Sequence, residues 1–355
     1  MGLKVTKEVL NLHDLIKLEQ KIVPELLEVI EKRYNILRNI QYNQPIGRRI
    51  LANNLGIGER IVRTEVNFLK SQDLIDINTP GMTVTEEGME LLEKLKDFMY
   101  DIKGLDDIED YLKKSLNLQD VLIVPGDLED EPIIINELGK TAAKYVKDKL
   151  KEDFIISLTG GSTVKAVIDN IPKMSKFKNI TVLPARGGMG RNLETQSNTL
   201  AAKLAEKIGG NYKLLHVPDD LSDHALETML NEKNIKEIVD KIYKTNILIF
   251  GIGKADEMAV KRGMSEKEVN ELKEKGAVGE AFGYYFSGKG EIVRFTPTIG
   301  IRREQLENIN LSIAVAGGKS KARAILSAEL NLNAKVLIID EGAAREIMKI
   351  LQENN

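Results

Sequence analysis

From about Asn117 onward the chain alternates short apolar runs with amphipathic segments, and few folds tolerate that pattern. The apolar runs are Val121–Val124, Phe154–Leu158, Ile180–Leu183, Leu214–Val217, Ile247–Phe250, Leu311–Ala314 and Val336–Ile339. Between them lie Ile134–Leu150, Thr199–Ile208, Ile235–Tyr243, Lys319–Leu330 and Ala343–Leu351, whose apolar residues recur at helical spacing. Strands that are apolar throughout cannot leave one face in water, so helices have to cover both faces of the sheet they form. The expectation is an α/β domain with a doubly wound, Rossmann-like parallel sheet. In such sheets ligands gather at the carboxyl ends of the strands.

Several of those ends carry groups suited to an anion. After Phe154–Leu158 comes Thr159-Gly160-Gly161-Ser162-Thr163, followed by the helical run Val164–Ile168. A strand, a glycine pair with hydroxyls and then a helix start lets backbone N–H groups and a positive dipole end approach a phosphate. The stretch matches neither the Walker pattern nor the dinucleotide G-x-G-x-x-G pattern. Taken alone, it reads equally well as an ordinary strand-to-helix turn. After Ile180–Leu183 come Arg186 and Arg191, with Gln196 further on; after Ile247–Phe250 come Gly251, Gly253, Lys261 and Arg262; after Leu311–Ala314 come Gly317, Gly318, Lys319, Ser320 and Lys321. Any one of these loops has a bland reading as a tight turn or a surface charge. Cations, hydroxyls and glycines at several ends of one sheet together describe a site for a small, multiply anionic ligand. A phosphorylated sugar fits better than a nucleotide, because no acidic ribose-binding residue follows a dinucleotide fingerprint.

The amino-terminal third has a different grammar. Pro24 opens a helix through Ile40 with Leu26, Leu27, Ile30, Tyr34, Leu37 and Ile40 on one face. Gly47–Leu55 and Gly58–Lys70 then read as two short helices joined by a turn at Gly56, a helix-turn-helix arrangement whose small core is Ala52, Leu55, Ile57, Val62, Val66 and Leu69. That core leaves Glu59, Arg60, Arg63, Thr64 and Asn67 on the open face of the second helix, with Arg48 in the first. These are types that read base edges and phosphates. Leu74–Ile77 and Met82–Val84 flank Asn78-Thr-Pro-Gly81 as a hairpin wing, and a helix from Thr85 to about Lys103 connects to the second domain as a candidate dimer contact. The plain alternative is a helical bundle with solvated arginines, which the ordered helix, turn, helix, wing and helix argues against. The domain reading is therefore 1–103 and 104–355.

The 355 residues, 42% hydrophobic and 30% charged, suit a globular chain of more than one domain. Absence of cysteine removes disulfides and thiolate metal sites, and no metal-ligand spacing appears among His13, His216 and His224. His216 falls in the expected strand Leu214–Val217, where a core or edge role is the expectation. The amino terminus lacks the apolar core of a signal peptide and no apolar run spans a bilayer, so the expected location is the cytoplasm. A net charge of −3 does not exclude nucleic acid: between Gln41 and Lys70 five cations face Glu59 and Glu65, a local surplus of three.

With these residues in view, the chain resembles the SorC family of bacterial transcription regulators. The resemblance covers essentially the whole length. It rests on the winged helix-turn-helix with Gly56, Glu59, Arg60 and Arg63, and on Leu158–Thr163, Pro184–Gly188, Gly279–Phe286 and Val315–Arg323. It implies an effector domain similar to ribose-5-phosphate isomerase and glucosamine-6-phosphate deaminase. It also implies a repressor of a glycolytic operon, relieved by fructose-1,6-bisphosphate, whose dimers assemble as a tetramer on double-stranded operator DNA. The effector contacts implied are Gly160, Gly161, Ser162, Thr163, Arg186, Gln196, Lys261, Glu280 and Lys321, with neither a cofactor nor a metal. Gln196 and Glu280 would bind sugar hydroxyls or orient the cations. Lys261 stands where the family has arginine, which keeps charge but loses bidentate phosphate binding. Arg262 beside it would share that task, and Ser162 replaces a threonine. Two alternatives remain: a SorC-type regulator answering to another sugar phosphate, or an isomerase or deaminase with Glu280 and Lys321 in catalytic parts.

Overall fold

A computed structural model of the chain describes residues 22–174, 177–188, 192–218 and 222–354. The chain divides into two compact units, with the division between Asp106 and Asp107.

The amino-terminal unit is helical around one apolar cluster. Helix α1 (Pro24–Asn43) buries Tyr34, Ile36, Leu37 and Ile40 against α2 (Arg48–Leu55) and α3 (Glu59–Ser71). Leu26, expected on the same face, is exposed, because the unit's core begins a turn further along. Helix α2 ends on Gly56 in the left-handed region (φ 62°), whose N–H closes onto the Ala52 and Asn53 carbonyls. Glycine takes that conformation without strain, and the chain can then turn at once into α3. Strands β1 (Ile75–Asn78) and β2 (Gly81–Val84) pair antiparallel as the wing, and α4 (Glu86–Ile102) returns Leu92 and Met99 to the core while Met89 faces outward.

One feature of this unit is not apparent from spacing. Glu65 on α3 is buried beneath Lys32 (2.7 Å) and Arg33 (2.9 Å) of α1. Burial by itself would raise the Glu65 carboxyl, but the hydrogen bonds from Lys32 and Arg33 outweigh it and hold it below its usual range. The Arg33 guanidinium also lies 3.6 Å from the Phe68 ring centre. Together these contacts set the rotation of α3 about its axis, and hence which side chains it presents.

After α5 (Leu105–Ser115) the second unit forms a seven-stranded parallel sheet. In chain order the strands are β3 (Asp120–Val124), β4 (Ile155–Leu158), β5 (Thr181–Pro184), β6 (Asn211–Tyr212), β7 (Ile247–Gly251), β12 (Leu311–Val315) and β13 (Val336–Asp340), and in space the order is β3-β13-β12-β7-β4-β5-β6. Both parities of the central strands are buried. Ile247, Ile249, Ile313, Val315, Val336 and Ile338 join one cluster with α6 (Ile134–Lys149), α7 (Ser162–Asn170) and α8 (Ser197–Ile208). Leu248, Phe250, Ala314, Leu337 and Ile339 are buried on the opposite face, with α10 (Lys233–Ile242) and α15 (Glu341–Glu353), whose buried residues lie outside that cluster. This is the doubly wound sheet that the apolar runs require.

Two features differ from the sequence expectation. Leu214–Val217 is extended but is not a strand: β6 stops at Tyr212. Beyond it the backbone bonds go elsewhere, Leu215 exchanging two hydrogen bonds with the Asn198 side chain and Val217 accepting from Gly188. Leu215 and Val217 are buried and His216 is exposed, so the alternation survives without a ladder and His216 takes no core role. The second is an unanticipated four-stranded antiparallel sheet, in the order β11 (Ile292–Phe295), β10 (Tyr284–Ser287), β9 (Ala277–Ala281) and β8 (Gly253–Lys254). Its β9–β10 turn places Phe282 (φ 54°) and Gly283 (φ 86°) in the left-handed region, as a tight two-residue hairpin needs.

At the end of α14 (Ala322–Leu332), Glu329 is 3% exposed and accepts the Ala334 N–H through Oε2. Burial pushes its carboxyl from 4.5 up to about 8, the Ala334 bond opposing only in part. The folded chain therefore holds a proton that the unfolded chain has already lost, so stability falls as pH rises from about 4.5 to 8. Each pH unit in that window removes up to about 1.4 kcal/mol. Glu329→Gln keeps an acceptor for Ala334 and should flatten this slope. Its melting temperature should match wild type near pH 5 and exceed it near pH 9 in thermal unfolding followed by circular dichroism.

Candidate functional site

Strand order decides where the site lies. From β4 the chain winds outward through β5 and β6; it then crosses back to β7 and winds the other way through β12 and β13. The reversal leaves a crevice between the carboxyl ends of β4 and β7, the topological switch point where doubly wound sheets hold ligands. A cavity of about 400 Å³ opens there. All nine effector residues expected from sequence line it: Gly160, Gly161, Ser162, Thr163, Arg186, Gln196, Lys261, Glu280 and Lys321. Arg191 lies outside the described residues.

One wall is the β4–α7 turn. Thr159 donates its N–H to the Ile249 carbonyl and receives the Gly251 N–H on Oγ1, which ties the turn to β7 across the crevice. Gly161 N–H donates to Thr195, and no side chain caps the start of α7. The first-turn N–H groups at Ser162 and Thr163 are therefore available to an anion, with the helix dipole behind them. Gly160 is needed for steric reasons, since a Cβ there would stand 2.5 Å from the Thr195 carbonyl oxygen. Gly161, with φ 127°, is needed for conformational ones.

The opposite wall is cationic. The Arg262 side chain is only 1% exposed; its Nη2 donates to Glu280 Oε1 at 2.6 Å and its Nη1 to the Tyr285 hydroxyl at 2.8 Å. Arg186 Nη1 approaches the same Glu280 oxygen at 3.6 Å, and the Gly283 N–H donates to it at 2.7 Å. Glu280 is thus engaged by two guanidinium groups and a backbone amide. Of the two roles expected for it, orienting the cations is the one its contacts display. The sequence pattern favours Lys261 with Arg262 sharing its task, and the structure reverses their depth: Lys261 is exposed at the rim and the Arg262 side chain is buried. The reason is the hairpin β9–β10, which brings Glu280 and Tyr285 beside the end of α11 (Ala255–Lys261). Thr159, from the glycine motif, also lines the cavity, as do Asn192, Thr195 and Ser197, for which no residue-type signal stands out in the sequence.

Lys321 completes the cationic side. Burial lowers its ammonium, Lys261 and Lys254 lower it further, and Glu257 opposes them. A phosphate dianion at this position would favour the protonated amine. Binding should then take up a fraction of a proton and weaken as pH rises, which isothermal titration in buffers of different ionisation enthalpy would measure.

The loop carrying Lys321 is held by carboxylates behind the site. Asp340 Oδ2 accepts N–H bonds from Leu128 (2.7 Å) and Gly318 (2.8 Å), and Glu129 accepts that of Ser320 (2.9 Å). Among the described residues no cluster of His, Asp and Glu is placed to hold a metal ion, and no helix is long and apolar enough to cross a membrane.

In the amino-terminal unit, Glu59, Arg60, Arg63, Thr64 and Asn67 are all exposed on α3, while Arg48 at the start of α2 is half-buried. Thr64 Oγ1 donates back to the Arg60 carbonyl. The exposed face of α3 therefore carries donors and cations, as a major-groove helix does.

Comparison with known proteins agrees with both halves. A family model described as "Putative sugar-binding domain" matches residues 100–349, and one described as "CggR N-terminal DNA binding domain" matches residues 29–99. The central glycolytic genes regulator of Priestia megaterium is 43% identical over 339 residues, covering 95% of this chain and 99% of that protein. That of Bacillus subtilis is 42% identical over 338 residues, with the same coverage of 95% and 99%. Among solved structures, a "putative SorC family transcriptional regulator" from Enterococcus faecalis is 34% identical with a TM-score of 0.63, covering 68% of this chain and 99% of that one.

Gly160→Ala should push the β4–α7 turn away from Thr195 and close the approach to the α7 amides. Affinity for inorganic phosphate as the probe anion, read by calorimetry, should weaken about tenfold or more. The exposed groups of α3 should still bind DNA.

Proposed function

This chain belongs to the SorC family, with the central glycolytic genes regulators among its relatives, and from that premise we propose that it represses a glycolytic operon and is released by fructose-1,6-bisphosphate. The observation that carries the effector reading is the two-walled cavity: uncapped amides of α7 on one side and Arg186, Arg262, Lys261 and Lys321 on the other. A sugar with a phosphate at each end satisfies both walls at once, whereas a monophosphate leaves one of them unmatched. The amino-terminal unit binds double-stranded operator DNA through α3, and the wing lies beside the duplex. The protein works in the cytoplasm as a homo-oligomer whose dimers assemble to a tetramer on DNA.

The mechanism is a change in coupling between subunits. The ligand draws together loops at the ends of β4, β5, β7 and β12, and the ordered loops alter the dimer–dimer contact. Two dimers on adjacent sites gain occupancy through effective concentration, so loosening that contact lowers it. The action is binding and not turnover: Glu280, the carboxylate an isomerase would use as base, is occupied by two guanidinium groups.

Fluorescence anisotropy on DNA from upstream of the chain's own transcription unit tests this, with and without millimolar fructose-1,6-bisphosphate. Specific binding should weaken or lose cooperativity when the sugar is added. Arg63→Ala should cost roughly 1–3 kcal/mol of operator affinity, and Arg186→Ala should blunt the sugar response while the operator is still bound. Specific binding that ignores the sugar would move the effector elsewhere among phosphorylated sugars. Equal loss of DNA binding in both variants would defeat the division of roles between the two units.

A further inference from the structure

Tyr285 lies outside the cavity lining and is fully buried, in a small cluster with Ala255, Ala259, Val269 and Leu272 from α11 and α12 (Glu266–Glu274). A phenylalanine would fill that space equally well. The hydroxyl accepts a bond from Arg262 Nη1 at 2.8 Å and donates a weak one to Met264 Sδ at 3.9 Å, with the Arg262 guanidinium 5.5 Å from the ring centre. Tyr285 and Glu280 are directly opposite each other in the β9–β10 ladder, and opposite residues in an antiparallel pair project from the same face. Arg262 reaches the pair from the end of α11, so one nitrogen rests on the carboxylate and the other on the phenol.

We propose that Tyr285 is a positioning residue for the cavity's anion: it sets ligand affinity by fixing the plane of the Arg262 guanidinium. Glu280 holds one terminal nitrogen and the phenol holds the other, and two contacts at different nitrogens define the guanidinium plane better than one. Arg262, which lines the cavity, then keeps its orientation before a phosphate arrives, and less freedom is lost on binding. Glu280 also accepts from Gly283, so the clamp is built into the hairpin whose Phe282 lines the cavity and packs on Phe250, ring centres 4.7 Å apart. The proposal rests on the effector reading above for the identity of the anion, and on nothing else in it.

Two measurements on the full chain decide it. The first needs no ligand: in spectra of the arginine side-chain N–H groups, the resonance removed by Arg262→Lys should shift and broaden in Tyr285→Phe. An unmoved resonance would show that the phenol does not hold the guanidinium, and would sink the proposal. The second is a double-mutant cycle in calorimetric affinity for fructose-1,6-bisphosphate. Tyr285→Phe should weaken binding roughly five- to tenfold in the native background. It should cost less than about twofold where Arg262 is already glutamine or lysine. Equal losses in all backgrounds would mean that Tyr285 acts independently of Arg262, and no loss in the native background would mean that it does not act on the ligand; either overturns the idea. Should the wild type bind inorganic phosphate but not the sugar, the sugar reading fails while the same cycle, run on phosphate, still judges Tyr285.

Discussion

The effector cavity depends on one buried carboxylate. Arg186 and Arg262 are both nearly inaccessible to water, and two guanidinium groups so placed would repel each other and lose hydration without compensation. Glu280 supplies the compensation at 3.6 Å and 2.6 Å, and the Gly283 amide adds a third contact. Removing one member of such a group leaves the others as uncompensated buried charge, which is why the cluster behaves as a unit. The cavity keeps a positive surplus because Lys261 and Lys321 remain on its walls while Glu280 is committed. The charge of the cavity is therefore arranged by the protein's own contacts.

Topology explains why that charge lies against the glycine turn. The reversal of winding between β4 and β7 opens a crevice, and residues that follow β5, β4, β7 and β12 line it. Residues more than 150 positions apart, such as Ser162 and Lys321, line the same 400 Å³. The antiparallel sheet β8–β11 then serves as a lateral wall. It starts directly after β7, so Glu280 and Tyr285 reach the site from a second sheet and not from the main one.

The amino-terminal unit solves a similar problem on a smaller scale. A reading helix is useful only if its rotation is fixed, and apolar packing through Val62, Val66 and Leu69 defines that rotation loosely. The ion pairs of Glu65 with Lys32 and Arg33, and the Arg33–Phe68 contact, pin one flank. Arg60, Arg63, Thr64 and Asn67 are thereby left toward solvent. In both units a carboxylate under two cations orients the groups beside it, the exposed face of α3 in one case and a wall of the cavity in the other.

Much of this was written in local pattern. Runs of Val, Ile and Leu with no polar face require a parallel sheet covered on both sides, and glycines followed by Ser162 and Thr163 at a helix start suit an anion once the other strand ends also carry cations and hydroxyls. The helix-turn-helix was legible for the same reason, since its core spacing and the turn at Gly56 are properties of neighbouring residues. Three things were not legible. Leu214–Val217 has strand composition but lacks a partner strand, and pairing is not a property of the segment itself. The β8–β11 sheet combines glycines, charges and aromatics in strands of two to five residues, too short for periodicity to register. The inward turn of Arg262 in preference to Lys261 depends on where Glu280 and Tyr285 lie in space, and that is decided by cross-strand register. The layers, the glycine turn and the residue types at each strand end are local properties, because each follows from backbone conformation and local burial. Which cation lies deepest in the cavity wall, and what holds it there, was left to tertiary contacts, because electrostatic pairing acts between residues that the chain alone does not bring together.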